Sequence, residues 1–369
     1  MRPTAGTRHG AGVPNLVIVG GGVVGATAAW SATRQGATVL LVDARDPGRA
    51  TDAGAGIVSP ETELRDTTPN HFLAAAATRF YPVLVDALAA DGAGDTGYAP
   101  CGKLVVARTD EEAGWIGGYL ARLRDPERAA APADAASLHE ITPGEAREQF
   151  PPLGDVTAAF VSEAGARVDG QRLERALLEA ASARGLTIEH RPVATLDDVP
   201  AADAVIVAGG AWSPALVPGL DVRPQRGQIV HLGFDDPTCE QWPVVAPLAH
   251  HYLLAFPGRV VVGATREDDV GFAPVLTAAG QRQVLDDALT TAPGLADAPV
   301  LEWRVGLRPV ATRGYPYLGA VPGRDRLFVA TGHGASGLTY GPWSGAVVAE
   351  LALGTISAGD RAALAPFAP

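Results

Sequence analysis

Leu16-Val17-Ile18-Val19-Gly20-Gly21-Gly22-Val23-Val24-Gly25 is the stretch that decides the fold. Its first four residues are apolar and mostly β-branched, as in a strand buried on both faces. They pass without a break into Gly20-x-Gly22-x-x-Gly25 and then an Ala-rich helix through Ala28, Trp30 and Ala32 to Gly36. Thr38–Val42 reads as the next strand and ends at Asp43, 18 residues after Gly25. Together these make one βαβ unit. Gly20 permits the tight turn, Gly22 lets the backbone approach a pyrophosphate, and Gly25 lets helix pack on strand. The helix N-terminus offers N–H groups and the positive end of its dipole to phosphates. The Asp43 carboxylate accepts hydrogen bonds from ribose hydroxyls. The unit predicts a bound dinucleotide, and the triplet alone does not tell NAD from FAD.

Downstream, apolar spacing predicts helices over Phe72–Leu88, Glu111–Leu123 and Val168–Arg184, the last capped by Asp169. Thr142-Pro143-Gly144-Glu145 predicts a short helix opened by a capping box, with Pro at its first position. Lys103–Ala107, Thr187–Glu189, Ala204–Ala208 and Leu327–Ala330 read as strands. From Gln228 to Val262 the alternation is that of an antiparallel sheet. Helices follow at Ala278–Leu289 and Gly341–Leu353, the second with Pro342 early, where a missing N–H costs nothing. The βαβ pieces lie at both ends and in the middle, with antiparallel material inserted twice. The predicted fold is α/β: a discontinuous Rossmann-like dinucleotide-binding domain plus an α+β substrate domain with an antiparallel sheet. The first domain is placed at 15–80, 150–215 and 310–369, and the second at 81–149 and 216–309. Residues 1–14 read as a flexible tail and 124–136 as a surface loop.

At 369 residues, 47% of them hydrophobic, the chain is long enough to core two domains. Its net charge of −12 lacks the basic face that nucleic acid or an anionic membrane requires. Lys103 is the single lysine, which excludes Schiff-base and Tyr-x-x-x-Lys chemistry unless Lys103 itself serves. Arginine carries the remaining basic character and is the better grip on a carboxylate, through two parallel hydrogen bonds. Cys101 and Cys239 have neither metal-ligand nor disulfide spacing, so both read as buried and reduced, and no metal is expected. Arg2, Arg8 and His9 precede no apolar h-region, so no secretory signal is expected. No apolar run approaches the ~18 residues of a membrane span, and a cytoplasmic setting is the default.

Four segments, taken in order, resemble the FAD-dependent amine oxidase family typified by D-amino-acid oxidase, most closely its bacterial glycine oxidase and sarcosine oxidase branch. They are the βαβ unit, Arg49–Ile57, Ala208–Ser213, and the C-terminal set Gly306–Pro309, Pro316–Gly319 and Gly332–Leu338. The set spans nearly the whole chain, and no single piece would carry the resemblance. It implies an FAD domain of the glutathione-reductase type. Between Ala50 and Gly56, small side chains let a flat ring approach the backbone, with Thr51, Ala55 and Gly56 against the cofactor. Asp52 stands where the family has Ser or Thr, and is expected to turn away from the phosphates. The resemblance assigns Val193 to the adenine through its backbone, and Gly209, Gly210 and Trp212 to the strand end where chain and cofactor meet. It assigns Gly332, His333, Gly334, Ser336, Gly337 and Leu338 to a loop lying against the flavin. For these glycines the alternative is plain turn-making. His333 is expected to position the loop rather than act as acid or base. The helix after it would aim its N-terminus at the flavin and favour negative charge there.

Gly306-Leu307-Arg308-Pro309 occupies the place of the family's substrate-carboxylate arginine, so Arg308 is the first catalytic candidate. The alternative is an ion pair with a structural acid such as Glu302. Tyr252 matches a tyrosine that lines the pocket in glycine oxidase; the alternative is an ordinary strand aromatic. His250 and His251 are strand neighbours and point to opposite faces, so at most one enters the pocket; His251 is carried as the third candidate. Thr265 stands where sarcosine oxidases place a lysine credited with activating O2. Val310–Leu318 contains no cysteine of the kind that tethers flavin in some relatives, so non-covalent FAD is expected.

The implied reaction is oxidation of the C–N bond of a D-amino acid, glycine or a sarcosine-like N-alkyl glycine. Hydride moves to flavin N5, the imine hydrolyses, and O2 or another acceptor reoxidises the flavin. The expected partners are that carboxylate-bearing amine and the acceptor, with neither nucleic acid nor membrane, and self-association is left open. One alternative is a 2-hydroxy-acid dehydrogenase, which needs a base from His251, His250 or His333. The other is a flavin-binding subunit without turnover. Pocket walls are expected from Pro60–Phe72 and Gln241–His251.

Overall fold

A computed structural model describes residues 15–60, 69–123, 138–248 and 251–369. The expected tail at 1–14, the loop at 124–136 and His250 lie outside the described residues. The strands are β1 (Asn15–Val19), β2 (Thr38–Val42), β3 (Ile57–Val58), β4 (Lys103–Ala107), β5 (Leu138–Ile141), β6 (Ala158–Ser162), β7 (Ala166–Arg167), β8 (Thr187–Glu189), β9 (Ala204–Val207), β10 (Val222–Gly233), β11 (Val244–Pro247), β12 (Tyr252–Phe256), β13 (Arg259–Gly263), β14 (Val300–Ala311), β15 (Tyr317–Ala320) and β16 (Leu327–Thr331). The helices are α1 (Val23–Arg34), α2 (Ala50–Ala53), α3 (Asn70–Ala90), α4 (Asp110–Leu123), α5 (Pro143–Gln149), α6 (Gly170–Ser182), α7 (Ser213–Leu216), α8 (Ala278–Thr291), α9 (Gly337–Leu353) and α10 (Ala358–Leu364).

The βαβ unit forms as read, and a six-stranded sheet grows from it in the order β15-β16-β9-β1-β2-β8. β1 pairs in parallel with β2 and with β9, burying Leu16 and Ile18 between them and the helices. Only β15 runs antiparallel to its neighbour. α1 packs between α6 and α9 on one face of this sheet, with α3 against α9. The α1–α9 approach is close: a Cβ at Gly345 would stand 2.2 Å from the Val24 carbonyl oxygen. Asp169 caps α6 as expected, accepting from the N–H groups of Gln171 and Arg172. The capping box of Thr142 and Glu145 also forms.

Three expectations about this first unit are corrected. α9 starts at Gly337, ahead of Gly341, so Pro342 lies inside the helix. There it cannot donate to the Leu338 carbonyl. The Tyr81 hydroxyl of α3 donates to that carbonyl instead. Burial pushes the Tyr81 pKa up, which keeps the donor protonated. Second, the boundary expected at 80/81 cuts α3. Leu73, Tyr81, Leu84 and Leu88 are buried in one core with α1 and α9, so the whole helix belongs to the first unit. Third, Phe72–Ala90 is one helix apolar and long enough to cross a membrane, at 19 residues and mean hydropathy 1.4, where none was expected. Its inner side chains are those just named.

The second sheet has eight strands in the order β14-β10-β13-β12-β11-β4-β6-β5. It is antiparallel as expected, except that β11 and β4 run parallel. β6 pairs with β4 and β5 here, so the expected placement of residues from 150 onward in the first domain is corrected over β6. A core of Leu104, Val230, Leu253 and Val262 packs under Phe150, Trp242 and the Val284 side of α8. β10 and β14, 12 residues each, pair from Val222↔Ala311 to Leu232↔Val300. Val222 and Ala311 are buried with Val207 and Val329 of the first sheet. This strand pair therefore runs from one core into the other.

Candidate active site

A cavity of about 430 Å³ opens where the C-terminal ends of β1, β2 and β9 meet β10 and β14. Ligands bind at that end of an open parallel sheet. Gly20, at φ +105°, makes the turn, and a Cβ there would stand 2.4 Å from the Ala208 carbonyl oxygen. Gly22 lines the cavity. Gly25 does not: a Cβ there would meet the Gly20 carbonyl oxygen at 1.9 Å, so its role is packing. The Val23 N–H opening α1 is satisfied by Thr51 Oγ1 at 3.0 Å. Thr51 thus accepts from the helix N-terminus and also lines the cavity.

Asp43 lines the cavity at the end of β2. Its Oδ2 accepts from Arg49 Nη1 at 3.2 Å. Arg49 also bonds Glu174 and lies 3.6 Å from Asp52. Burial pushes the Glu174 carboxyl up against the pull of Arg49. Asp52 is outside the cavity lining, turned away as expected. Val193, Gly209, Gly210 and Trp212 all line the cavity, as do Ala55 and Gly56. Phe272 packs on Trp212 with ring centroids 5.2 Å apart.

The C-terminal loop divides. His333, Gly334, Gly337 and Leu338 line the cavity, whereas Gly332 and Ser336 do not. Gly332 makes a turn at φ +85° against Ala311, and Ser336 precedes α9 without a side-chain cap. The N-terminus of α9, the positive end of its dipole, lies at this loop. The buried His333 imidazole has a lowered pKa of about 4, caused by burial, and its Nε2 has no partner. It is neutral at pH 7 and a weak base.

Arg308 and Tyr252 come together on the cavity wall. Arg308 Nη1 donates to the Thr265 carbonyl at 2.9 Å, with Gln225 Oε1 and the Arg226 carbonyl each at 3.5 Å. Among the described residues no carboxylate forms an ion pair with it, and Glu302 is bonded to Arg304 instead. Burial presses the Arg308 pKa below the arginine range, and Tyr252 and Glu267 oppose that fall. Burial raises the Tyr252 pKa, opposed by Arg308 and Arg266. The guanidinium lies over Gly227, where a Cβ would stand 2.4 Å from Nη2.

His251 is corrected as a catalytic candidate. Its Nε2 is 2.7 Å from Thr291 Oγ1 and its Nδ1 3.9 Å from Asp287, both on α8. It faces away from Tyr252, and strand parity is the reason. Thr265 is buried behind the wall, its hydroxyl donating to Glu267 at 2.7 Å. Lys103 is buried on β4 with Nζ 3.3 Å from Ser59 Oγ, outside the cavity lining. Residues 61–68 and 249–250 of the expected pocket walls lie outside the described residues. Sequence reasoning missed Gln225, Gly227 and the bridging role of Arg49. Only Arg49 carried a signal, as the first residue of the small-residue loop.

The cavity fits FAD. It runs from the Asp43 and Val193 end, past the glycine turn and Thr51, to an end walled by Gly306, His333, Leu338 and Tyr252. The orphaned His333 Nε2 is a polar group that a bound cofactor would satisfy. The sequence matches the family described as DAO, FAD dependent oxidoreductase, over residues 15–351. It is 38% identical to the uncharacterized oxidoreductase YurR of Bacillus subtilis (strain 168), over 96% of this chain and 98% of that one. The structure is similar to iminodiacetate oxidase (IdaA) from Chelativorans sp. BNC1, with TM-score 0.88, 38% identity, and coverage of 96% and 98% of the two chains. It is also similar to glycine oxidase from Geobacillus kaustophilus, with TM-score 0.82, 27% identity, and coverage of 96% and 98%.

Proposed function

The chain belongs to the DAO family of FAD-dependent oxidoreductases, and from that premise we propose that it oxidises the C–N bond of a small amine bearing a carboxylate on the reacting carbon. One observation carries this reading: the Arg308 guanidinium faces the cavity with no carboxylate partner of its own among the described residues. A charge drawn out of water in this way favours an anionic ligand. Two similar proteins, glycine oxidase and iminodiacetate oxidase, are named for carboxylate-bearing amines.

FAD supplies the acceptor for the hydride that leaves the substrate Cα. Arg308 grips the carboxylate through its planar fork. The Tyr252 hydroxyl, beside it, fixes the carboxylate's rotation. With the carboxylate held, the amine nitrogen pushes its lone pair into a C=N bond as hydride departs. Water then adds to the imine carbon and the amine leaves. With FAD bound, the N-terminus of α9 would favour negative charge at this end of the cavity. The chemistry requires positioning more than a protein base. That suits a wall whose histidine, His333, has a pKa of about 4. A 2-hydroxy acid would need its hydroxyl proton removed, and His251 faces α8. Val310–Leu318 contains no cysteine and neither Cys101 nor Cys239 lines the cavity, which supports FAD held without a cysteinyl tether.

The test is anaerobic flavin bleaching by glycine, sarcosine and small D-amino acids, with lactate and 2-hydroxyglutarate alongside. Bleaching by an amine and not by the hydroxy acids is expected; bleaching by no amine refutes the reading. Arg308→Ala should raise KM at least tenfold with flavin still bound, and an unchanged KM removes Arg308 from its role.

A further inference from the structure

The groups that aim Arg308 lie behind the cavity wall. The Thr265 carbonyl, 2.9 Å from Nη1, is the nearest of its acceptors, against 3.5 Å for Gln225 Oε1 and the Arg226 carbonyl. The rest of Thr265 is pinned. Its N–H donates to the Gln228 carbonyl at 3.3 Å, its Oγ1 accepts from the Gln228 N–H at 3.0 Å, and its hydroxyl donates to Glu267 at 2.7 Å. Glu267 also accepts from Gln228 Nε2 at 2.7 Å, from Arg226 Nε at 3.1 Å and from Arg226 Nη2 at 2.6 Å. Four donors thus converge on one carboxylate. An ionised carboxylate, which only accepts, can answer all of them, whereas an amide of the same shape would turn N–H groups towards donors. Burial would raise the Glu267 pKa, but the hydrogen bonds from Arg226, Thr265 and Gln228 outweigh it and hold the carboxyl below its ordinary value. Arg226 and Gln228 are also held from elsewhere. Arg226 Nη1 donates to the Ala273 carbonyl at 3.2 Å, and Gln228 Oε1 accepts from the Thr277 N–H at 2.9 Å. Loss of the Glu267 carboxylate therefore frees Thr265 before it frees β10. Glu267 does not line the cavity, so its influence on a ligand there passes through Thr265.

We propose that Glu267 is a positioning residue for the carboxylate site: it holds Thr265 so that the Thr265 carbonyl aims the Arg308 guanidinium into the cavity. This rests on the reading of Arg308 as the carboxylate anchor. A guanidinium rides on a long rotatable stem, and a fork that swings aside loses both parallel bonds to a carboxylate together. Tying one nitrogen to a fixed carbonyl removes that freedom before the ligand arrives, so less ordering remains to oppose binding. The gain falls on affinity for the carboxylate in the ground state and the transition state alike, and so on KM rather than kcat.

The holoenzyme tests this with the amine that bleaches its flavin and with methoxyacetate, which has a carboxylate and no oxidisable amine. Glu267→Gln should raise KM for the amine, and Kd for methoxyacetate read from flavin absorption, about fivefold each, with kcat within about twofold. Thr265→Val, which removes the hydroxyl and keeps the carbonyl, should do the same. Thr265→Ser, which keeps both, should restore the original values. In an Arg308→Ala background Glu267→Gln should add less than about twofold, since its effect runs through the missing guanidinium. An unchanged Kd in either folded variant overturns the proposal, as does a Thr265→Ser that behaves like Thr265→Val. A full effect that persists without Arg308 also overturns it, because the wall has then loosened generally. If Glu267→Gln does not fold around its flavin, Thr265→Val decides alone. Bleaching by none of the amines overturns the amine reading, and the methoxyacetate titrations then still decide for or against Glu267.

Discussion

Arg308 keeps its place because a neighbour has no side chain. A methyl at Gly227 would fall within 2.6 Å of three guanidinium atoms, and these are the mobile end of a long side chain. Gly227→Ala is therefore expected to fold, displace the guanidinium and raise KM at least fivefold. Combined with Arg308→Ala it should add little, since both remove the same contact; full additivity in a double-mutant cycle would refute the coupling. Arg49 offers a second test. It neutralises Asp43 and Glu174 beside the phosphate end of the cavity. Arg49→Gln leaves those carboxylates to repel a pyrophosphate, so flavin retention on gel filtration should weaken about tenfold. Asp43 was legible because it ends a recognisable strand of the βαβ unit, and Arg308 because its Gly-Leu-Arg-Pro setting resembles the family's. Gly227 was not, because its role comes from the ladder that sets it under Arg308. His251 shows the limit of that legibility: strand parity says that at most one of two neighbouring histidines enters the pocket, without saying which.

At the scale of elements, most boundaries followed from apolar spacing and caps, and the departure at α9 is informative. A proline ordinarily marks a helix start, and Pro342 suggested Gly341 as the first residue. The helix begins at Gly337 because a partner outside it, Tyr81, takes up the carbonyl that Pro342 cannot serve. No local rule reveals a donor 257 residues away in sequence. Tyr81→Phe should leave a buried carbonyl unsatisfied and cost about 1–3 kcal/mol in urea unfolding. In a Pro342→Ala background the helix supplies its own N–H, so the same substitution should cost less than half as much. An equal cost in both backgrounds would show that Tyr81 acts through packing alone.

Across the whole molecule, two sheets share one cavity, and the class of each was legible from its hydrophobic period, parallel runs against alternation. Their boundaries were not, because α3 and β6 are assigned by what they pack against. Stability should also respond to acid in a defined sense. His231, 3% exposed on β10, has its pKa lowered to about 4 by burial, with Arg304 and Arg259 adding to the fall. The unfolded chain binds that proton near pH 6.5 and the folded one does not, so stability falls as pH drops from about 6.5 towards 4. The loss is about 3 kcal/mol at most. His231→Gln should flatten the dependence of melting temperature on pH between 6.5 and 5; an unchanged slope would assign it to other groups.

The order of strands in the first sheet bears on how the protein is made. β1 and β2 leave the ribosome first, yet β9 and β16, which pair onto them in turn, and α9, which covers α1, come from residues 204–207, 327–331 and 337–353. This opening βαβ unit must wait for α9 before its apolar face is sealed. During that wait it exposes an unpaired strand edge beside the groove where α9 will lie. Such long-range closure is slow and open to aggregation. Newly synthesised chains should therefore depend on a holding chaperone until Gly345 has docked on α1.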